Sequence, residues 1–306
     1  MRVFVTGIEG FVGGHLARHL KERGDEVYGI HYAPPGEELP ANLFPCDIND
    51  FNTLKKALEE SRPDWIIHLA GISSVAEAEK NPIPTYEVNT IGTLKLLIAV
   101  HQLMLPCRIL LISSADVYGR GDRPHSETDP VQPLTAYARS KYLAEEIARL
   151  YYQTWDMDIV ILRSFSHTGP GQAERFIFAK VASHIAKVEQ GKASPILEMG
   201  DLEVRRDYTD VRDIVRAYIS ALENCPAGET YNVTSGRPVR LRDGVEILLG
   251  LARQKIEIRQ SVSEKRPYDI PFLSGNPEKF HRATGWTPQI PFEKTLSDLL
   301  EYYRNS

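Results

Sequence analysis

Short apolar runs alternate along the chain with longer segments whose apolar residues recur every three to four positions. Val3-Phe4-Val5 is the first run. Phe11 to Arg23 then predicts a helix, with Leu16, Ala17 and Leu20 on one face and Gly24 where a helix ends. Val27 to Ile30 and Leu43 to Cys46 read as the next strands, and an amphipathic helix follows through Leu54 and Leu58. Trp65 to Leu69 is a further strand, residues 86–103 a long helix, and Ile109 to Ile112 an all-apolar strand. Tyr137 to Trp155 predicts a second long helix, and Ile159 to Leu162 another strand. Near-continuous apolar strands separated by helices indicate a parallel sheet covered on both faces. The expected fold class is α/β, a doubly wound parallel sheet, and such sheets bind ligands at the carboxyl ends of their strands.

The second half is less regular, with proline and glycine at Gly169, Gly171, Pro195, Pro238, Pro267 and Pro271. Helices are expected near 175–190 and 241–254, flanked by short strands. This predicts a larger unit over residues 1–165, joined again by a return segment near 207–233, and a smaller C-terminal α/β lobe over 166–306.

The bulk properties narrow the function classes. With 42% hydrophobic and 25% charged residues among 306, the composition is that of an ordinary globular protein. A formal net charge of −5 gives no reason to expect nucleic acid or an anionic membrane as partner. No apolar run approaches the ~20 residues that span a bilayer, and the start lacks a signal-peptide pattern. Cys46, Cys107 and Cys225 include no CxxC spacing, which suits a reducing compartment, so a cytoplasmic location is expected. His15, His68, His167 and His281 fit no ligand set, and no metal is expected.

Thr6-Gly7-Ile8-Glu9-Gly10-Phe11-Val12-Gly13 lies between the first strand and first helix. Gly7 suits a tight turn of positive φ. Gly10 lets a pyrophosphate approach the backbone, and Gly13 lets helix and strand pack closely. The helix N-terminus then offers free N–H groups to phosphates. The spacing is GxxGxxG rather than the GxGxxG of the common dinucleotide fingerprint. At the end of the second strand stand Ile30-His31-Tyr32, with neither an acid to hold ribose hydroxyls nor an arginine for a 2′-phosphate. The expected cofactor is NADP or NAD, with NADPH slightly favoured. Asp47, after the third strand, is a candidate acceptor for the adenine amino group, or a cap for the next helix.

Tyr137-Ala-Arg-Ser-Lys141 places a phenol and an ammonium four residues apart on one helix face. A neighbouring cation favours the phenolate, so the tyrosine pKa is expected to fall. That would make Tyr137 a usable proton donor near neutral pH. Ser114 falls at the carboxyl end of a strand, in Ser113-Ser114-Ala115-Asp116-Val117-Tyr118-Gly119, where active-site groups gather in such sheets.

Taken in order, TGIEGFVG, His68-Leu69-Ala70-Gly71, Asn89-Thr-Ile-Gly92-Thr93, SSADVYG, YARSK and Gly285-Trp286-Thr287-Pro288 cover nearly the whole chain. They resemble the extended short-chain dehydrogenase/reductase family. The resemblance implies a Rossmann-like sheet with a substrate-binding lobe, and Ser114, Tyr137 and Lys141 as the catalytic set. It implies cofactor contacts at Gly7, Gly10, Phe11, Val12, Gly13, His31, Asp47, Ile48, Leu69, Ala70, Gly71 and Asn89, with Tyr137 and Lys141 beside the nicotinamide ribose. The two long helices, about 86–103 and 134–154, imply a homodimer through a four-helix bundle.

Extended members act on nucleotide sugars as epimerases, 4,6-dehydratases or reductases. Dehydratases of the family carry Thr-Asp-Glu or Thr-Ser-Glu where this chain has Ser114-Ala115-Asp116. Ala115 cannot transfer a proton, and Asp116 is one methylene shorter than Glu. Asp116 remains a candidate acid–base residue. The segment Gly200 to Val211 resembles one shared by the GDP-mannose dehydratases and the GDP-4-keto-6-deoxy-mannose reductases, and Arg163 to Gln172 and Tyr231 to Gly236 resemble the reductases. By that resemblance Arg206 and Arg266 should hold the diphosphate, since forked donors suit phosphate oxygens. Ser114 and Ser166 should also touch the substrate, although Ser166 stands where the family usually has Asn. The expected reaction is reduction of the C4 ketone of GDP-4-keto-6-deoxy-D-mannose to GDP-6-deoxy-D-mannose (GDP-D-rhamnose). A 4-epimerase or 4,6-dehydratase with retained cofactor, and a non-catalytic dinucleotide-binding protein, are the alternatives.

Overall fold

A computed structural model describes residues 1–35, 38–260 and 270–306. In chain order its elements begin β1 (Arg2–Thr6), α1 (Phe11–Glu22), β2 (Glu26–His31), β3 (Asn42–Pro45), α2 (Phe51–Ser61), β4 (Trp65–His68), α3 (Val75–Lys80) and α4 (Pro82–Tyr86). A π-helical turn, Glu87–Ile91, leads into α5 (Gly92–Gln102), followed by β5 (Arg108–Ser114), α6 (Ala136–Trp155) and β6 (Ile159–Ser164). The chain continues through β7 (Ser166–Thr168), α7 (Ile177–Glu189), β8 (Ile196–Met199), β9 (Arg205–Asp210), α8 (Val211–Asn224) and β10 (Thr230–Val233). It closes with β11 (Pro238–Arg240), α9 (Leu241–Gly250), β12 (Glu257–Gln260), β13 (Phe272–Leu273), α10 (Glu278–Thr284) and α11 (Phe292–Asn305).

Seven strands form one sheet in the order β10-β6-β5-β4-β1-β2-β3, and every neighbouring pair is parallel. Alternation along the strands builds a separate apolar layer on each face. Val3, Val5, Leu110 and Leu162 point to one side and pack with Leu16 and Leu20 of α1 and Ile214 and Tyr218 of α8. Phe4, Ile109, Leu111 and Ile161 point to the other and meet Leu54 and Leu58 of α2, Leu96 and Leu97 of α5, and Ala144 and Ala148 of α6. This is a Rossmann-like doubly wound sheet. The order of strands changes direction at β1, which opens a crevice at the carboxyl ends of β1 and β4.

A third apolar cluster joins α7, α9 and α11 to β8. Beside it, β9 pairs with β7, β11 and β13 in a smaller sheet, while α8 and β10 lie with the large one. Asp213 ties the C-terminal segment to α8, accepting the backbone N–H groups of Gln289 and Ile290 at 2.9 Å each.

Two helices differ from their sequence-based expectation. The long helix expected over 86–103 contains the π-helical turn. There the buried Asn89 amide pairs with both backbone groups of Ile72, accepting its N–H at 2.8 Å and donating to its carbonyl at 3.1 Å. The helix expected over 241–254 ends at Gly250.

Gly13 shows how tightly the first loop is closed. A Cβ there would lie 2.5 Å from the Gly7 carbonyl oxygen and 2.6 Å from that of Ile8. Gly13→Ala should therefore destabilise the fold by about 1–3 kcal/mol, the usual cost of overpacking. The urea midpoint reports it, and an unchanged midpoint would mean that the loop has slack.

Candidate active site

A cleft of about 1250 Å³ runs along the carboxyl ends of the large sheet and under the smaller lobe. Gly7, Gly10, Phe11, Val12 and Gly13 line one end, with Asp47, Ile48, Leu69, Ala70 and Gly71 beside them. Gly7 has φ +67, and a Cβ on it would lie 2.9 Å from Ala70. The loop after β1 is thus pressed against the loop after β4. Thr6 Oγ1 accepts the Ala70 N–H at 3.0 Å and lies 2.7 Å from His68 Nδ1. His68 Nε2 lies 2.9 Å from Thr93 Oγ1 on α5. Burial, helped by the charge of Lys141, pushes the His68 pKa down to about 3, so the ring is a neutral strut.

Helix α1 starts at Gly10 without a side-chain cap. Its first-turn N–H groups have no intrahelical partners and face the cleft, as a bound pyrophosphate requires. These features fit a dinucleotide. Two of the expected cofactor contacts are not brought to the lining. The His31 side chain turns away, its Nδ1 lying 3.0 Å from the Ala33 carbonyl. Asn89 lies behind the wall, clamping Ile72 and donating to Ser140 Oγ at 2.9 Å. Asp47 Oδ1 accepts the Asn49 N–H at 2.8 Å, and the cap of α2 is Asp50.

The chemical end gathers Ser114, Asp116, Tyr137 and Lys141, all lining the cleft. Strand β5 ends at Ser114, which caps a short 3-10 turn, Ala115–Tyr118. Its hydroxyl donates to Asp116 Oδ2 at 3.1 Å and accepts the Asp116 N–H at 3.2 Å. Thr135 caps α6, accepting the Ala138 N–H at 3.1 Å, so Tyr137 sits in the first turn. Lys141 Nζ donates to the Ile112 carbonyl at 2.8 Å.

The electrostatics differ from the expectation that Lys141 lowers the Tyr137 pKa. Burial raises it, the Asp116 carboxylate raises it further, and the Ser114 hydrogen bond opposes both. The Lys141 ammonium is turned toward Ile112, and burial pushes its own pKa down to about 8, against the pull of Glu145. Burial likewise raises Asp116, while the Arg206 charge and the Ser114 hydrogen bond lower it. A water-poor interior favours the neutral form of each group.

Ser166 and Arg206 line the lobe side of the cleft, the first on β7 and the second on β9. Arg266 lies outside the described residues. Arg175 and Lys180 also line the cleft, two cations that no motif singled out.

Beneath Lys141 lies a network the motifs did not reveal. Glu145 is fully buried and accepts from Arg163 Nε at 3.0 Å and Nη2 at 2.8 Å. Ser113 Oγ donates to it at 2.5 Å and Arg149 Nη2 at 2.6 Å. These donors hold the Glu145 carboxyl below its usual range although burial pushes it up. Its sequence signal was the spacing: Tyr137, Lys141 and Glu145 recur every four residues.

The family model for GDP-mannose 4,6 dehydratase matches residues 4–299. The GDP-6-deoxy-D-mannose reductase of Pseudomonas aeruginosa is 35% identical over 303 residues, covering 98% of this chain and 96% of the relative. The structure of RMD from Pseudomonas aeruginosa complexed with NADPH superposes with TM-score 0.87 at 34% identity, covering 99% of this chain and 98% of that one. The UDP-glucose 4-epimerase of Thermus thermophilus, in complex with NAD, superposes with TM-score 0.91 at 28% identity, covering 100% of both chains.

Arg163→Leu should cost on the order of 3 kcal/mol, because it strips Glu145 of its bidentate partner while leaving the carboxylate buried. The double variant Arg163→Leu/Glu145→Leu should recover most of that loss in a denaturation series. A double variant no more stable than the single one would mean that packing, not charge, sets the cost.

Proposed function

Because this chain belongs to the GDP-mannose 4,6-dehydratase-like extended short-chain dehydrogenase/reductase family, we propose that it reduces the C4 ketone of GDP-4-keto-6-deoxy-D-mannose to GDP-6-deoxy-D-mannose. The observation that carries the reading is the convergence of Ser114, Tyr137 and Lys141 in one cleft, with the aliphatic Ala115 between Ser114 and Asp116. A dehydratase must move protons at C5 and C6, and a methyl group at Ala115 cannot do so. The relative from Pseudomonas aeruginosa supports the same substrate class.

When bound, the reduced nicotinamide supplies hydride to C4. The residues of the chain manage the oxygen and its proton. Ser114 donates a hydrogen bond to O4 and stabilises the negative charge that develops there. The Tyr137 hydroxyl, kept protonated by burial, gives its proton to O4. Lys141, on the same face of α6, holds the ribose hydroxyls. Ser166 and Arg206 bind the nucleotide sugar from the lobe side, Arg206 with Arg266 at the diphosphate. The exposed Ile83, Ile91, Leu143 and Leu150 along α4, the π-helical turn and α6 support assembly as a homodimer through a four-helix bundle.

Consumption of reduced nicotinamide on adding the 4-keto sugar tests the reading, and no consumption with authentic substrate would overturn it. Tyr137→Phe should bind dinucleotide but lose roughly 10²–10⁴-fold in kcat, the usual share of a general acid. Near-full turnover would remove Tyr137 from the mechanism. Activity should also fall as pH rises through about 8, where Lys141 gives up its charge. Lys141→Arg, which keeps its charge, should lack that limb; a wild-type profile flat across this range would contradict the role given to Lys141.

A further inference from the structure

The end of β2 is not as neutral in space as in sequence. Gly29 of β2 leaves room for the Ile8 side chain, which would lie 2.6 Å from a Cβ there. Ile8 is fully buried, and its N–H reaches the Ile30 carbonyl at 3.4 Å. The glycine loop is therefore drawn alongside β2. This brings the next residue, Glu9, to the strand's end, where its Oε1 accepts the Tyr32 N–H at 2.9 Å. Its Oε2 is buried and has no hydrogen-bond partner among the described residues. Glu9, Ile30, Tyr32 and Asp47 line the cleft together at this corner.

A buried carboxylate oxygen left without a donor is costly, and such an atom in a lining points to a ligand that completes it. The end of β2 is where an acid takes the adenosine ribose hydroxyls of NAD, and where an arginine takes the 2′-phosphate of NADP. The described cations of the cleft, Lys141, Arg175, Lys180 and Arg206, stand on other elements: α6, the segment before α7, α7 and β9. We propose that Glu9 sets the cofactor preference toward NADH, its free oxygen accepting the ribose 2′-hydroxyl and its charge repelling a 2′-phosphate. The proposal rests on reading the cleft as a dinucleotide site. It reverses the slight preference for NADPH drawn from Ile30-His31-Tyr32 alone. It also sets this chain apart from the Pseudomonas aeruginosa structure complexed with NADPH.

Equilibrium titration of the purified protein with NADH and NADPH, followed by nicotinamide fluorescence, tests it without turnover. NADH should bind at least on the order of tenfold tighter, as expected of like charges brought together at one end of the ligand only. Glu9→Gln, whose amide oxygen can still accept the Tyr32 N–H, should bring the two affinities close to equal, chiefly by strengthening NADPH. Glu9→Ala should move the ratio the same way. In competition, 5′-AMP should displace bound NADH from the wild type better than adenosine 2′,5′-bisphosphate does, and that order should be lost in Glu9→Gln. Equal or tighter binding of NADPH by the wild type, or a ratio unchanged in both variants, would overturn the role of Glu9 and leave the dinucleotide site standing. Binding of neither dinucleotide would overturn the site itself, and this proposal with it.

Discussion

A carboxylate buried beneath the sheet's carboxyl edge governs the rest of the site. Glu145 meets Ser113 at the end of β5 and Arg163 on the neighbouring β6, so one side chain of α6 is pinned to two adjacent strands. Burying such a pair carries a large desolvation cost, and a well-packed apolar cluster could replace it without loss of stability. What the pair supplies is direction. A helix held at Glu145 by charge-assisted hydrogen bonds cannot rotate or slide by a residue without unpairing a buried ion. One turn back along α6 stands Lys141, and two turns back Tyr137. Their phase over the strand ends follows from a contact that touches neither.

Burial then shifts the proton affinities of the groups so placed. Tyr137 and Asp116 are both raised and Lys141 is lowered, all with desolvation as the largest cause. In each case the water-poor surroundings favour the neutral form. The Asp116 carboxylate also raises Tyr137, because two negative charges in a water-poor pocket cannot both be favourable. Arg206, reaching in from the smaller lobe, opposes the rise of Asp116. The lobe is therefore part of the electrostatics of the large sheet's active edge.

The cofactor end follows a steric logic instead. Close approaches of Gly7 to Ala70, Gly13 to Gly7, and Gly29 to Ile8 press the loop after β1 against the loop after β4, the start of α1 and strand β2. The uncapped start of α1 is left facing the cleft. The same compression carries Glu9 to the end of β2, where its backbone neighbours would not by themselves place an acid.

The sequence alone determined the elements and their order. Apolar runs of four or five residues between amphipathic helices specify a parallel sheet because only a strand covered on both faces can bury such runs. The glycine spacing, Ser114 and the Tyr137–Lys141 pair were legible for a similar local reason: each is a backbone turn or a single helical repeat. What only the tertiary structure decided involves partners far apart in the chain. His31 turns to Ala33 rather than to the cleft, and Asn89 closes on Ile72 through a π-helical turn. Arg163 finds Glu145, Arg206 acts on Asp116, and Glu9 meets Tyr32. Periodicity reports which way a side chain faces along its own element. It carries no information on what another element brings opposite, nor on how dry the space between them is, and those two quantities set the charges of this site.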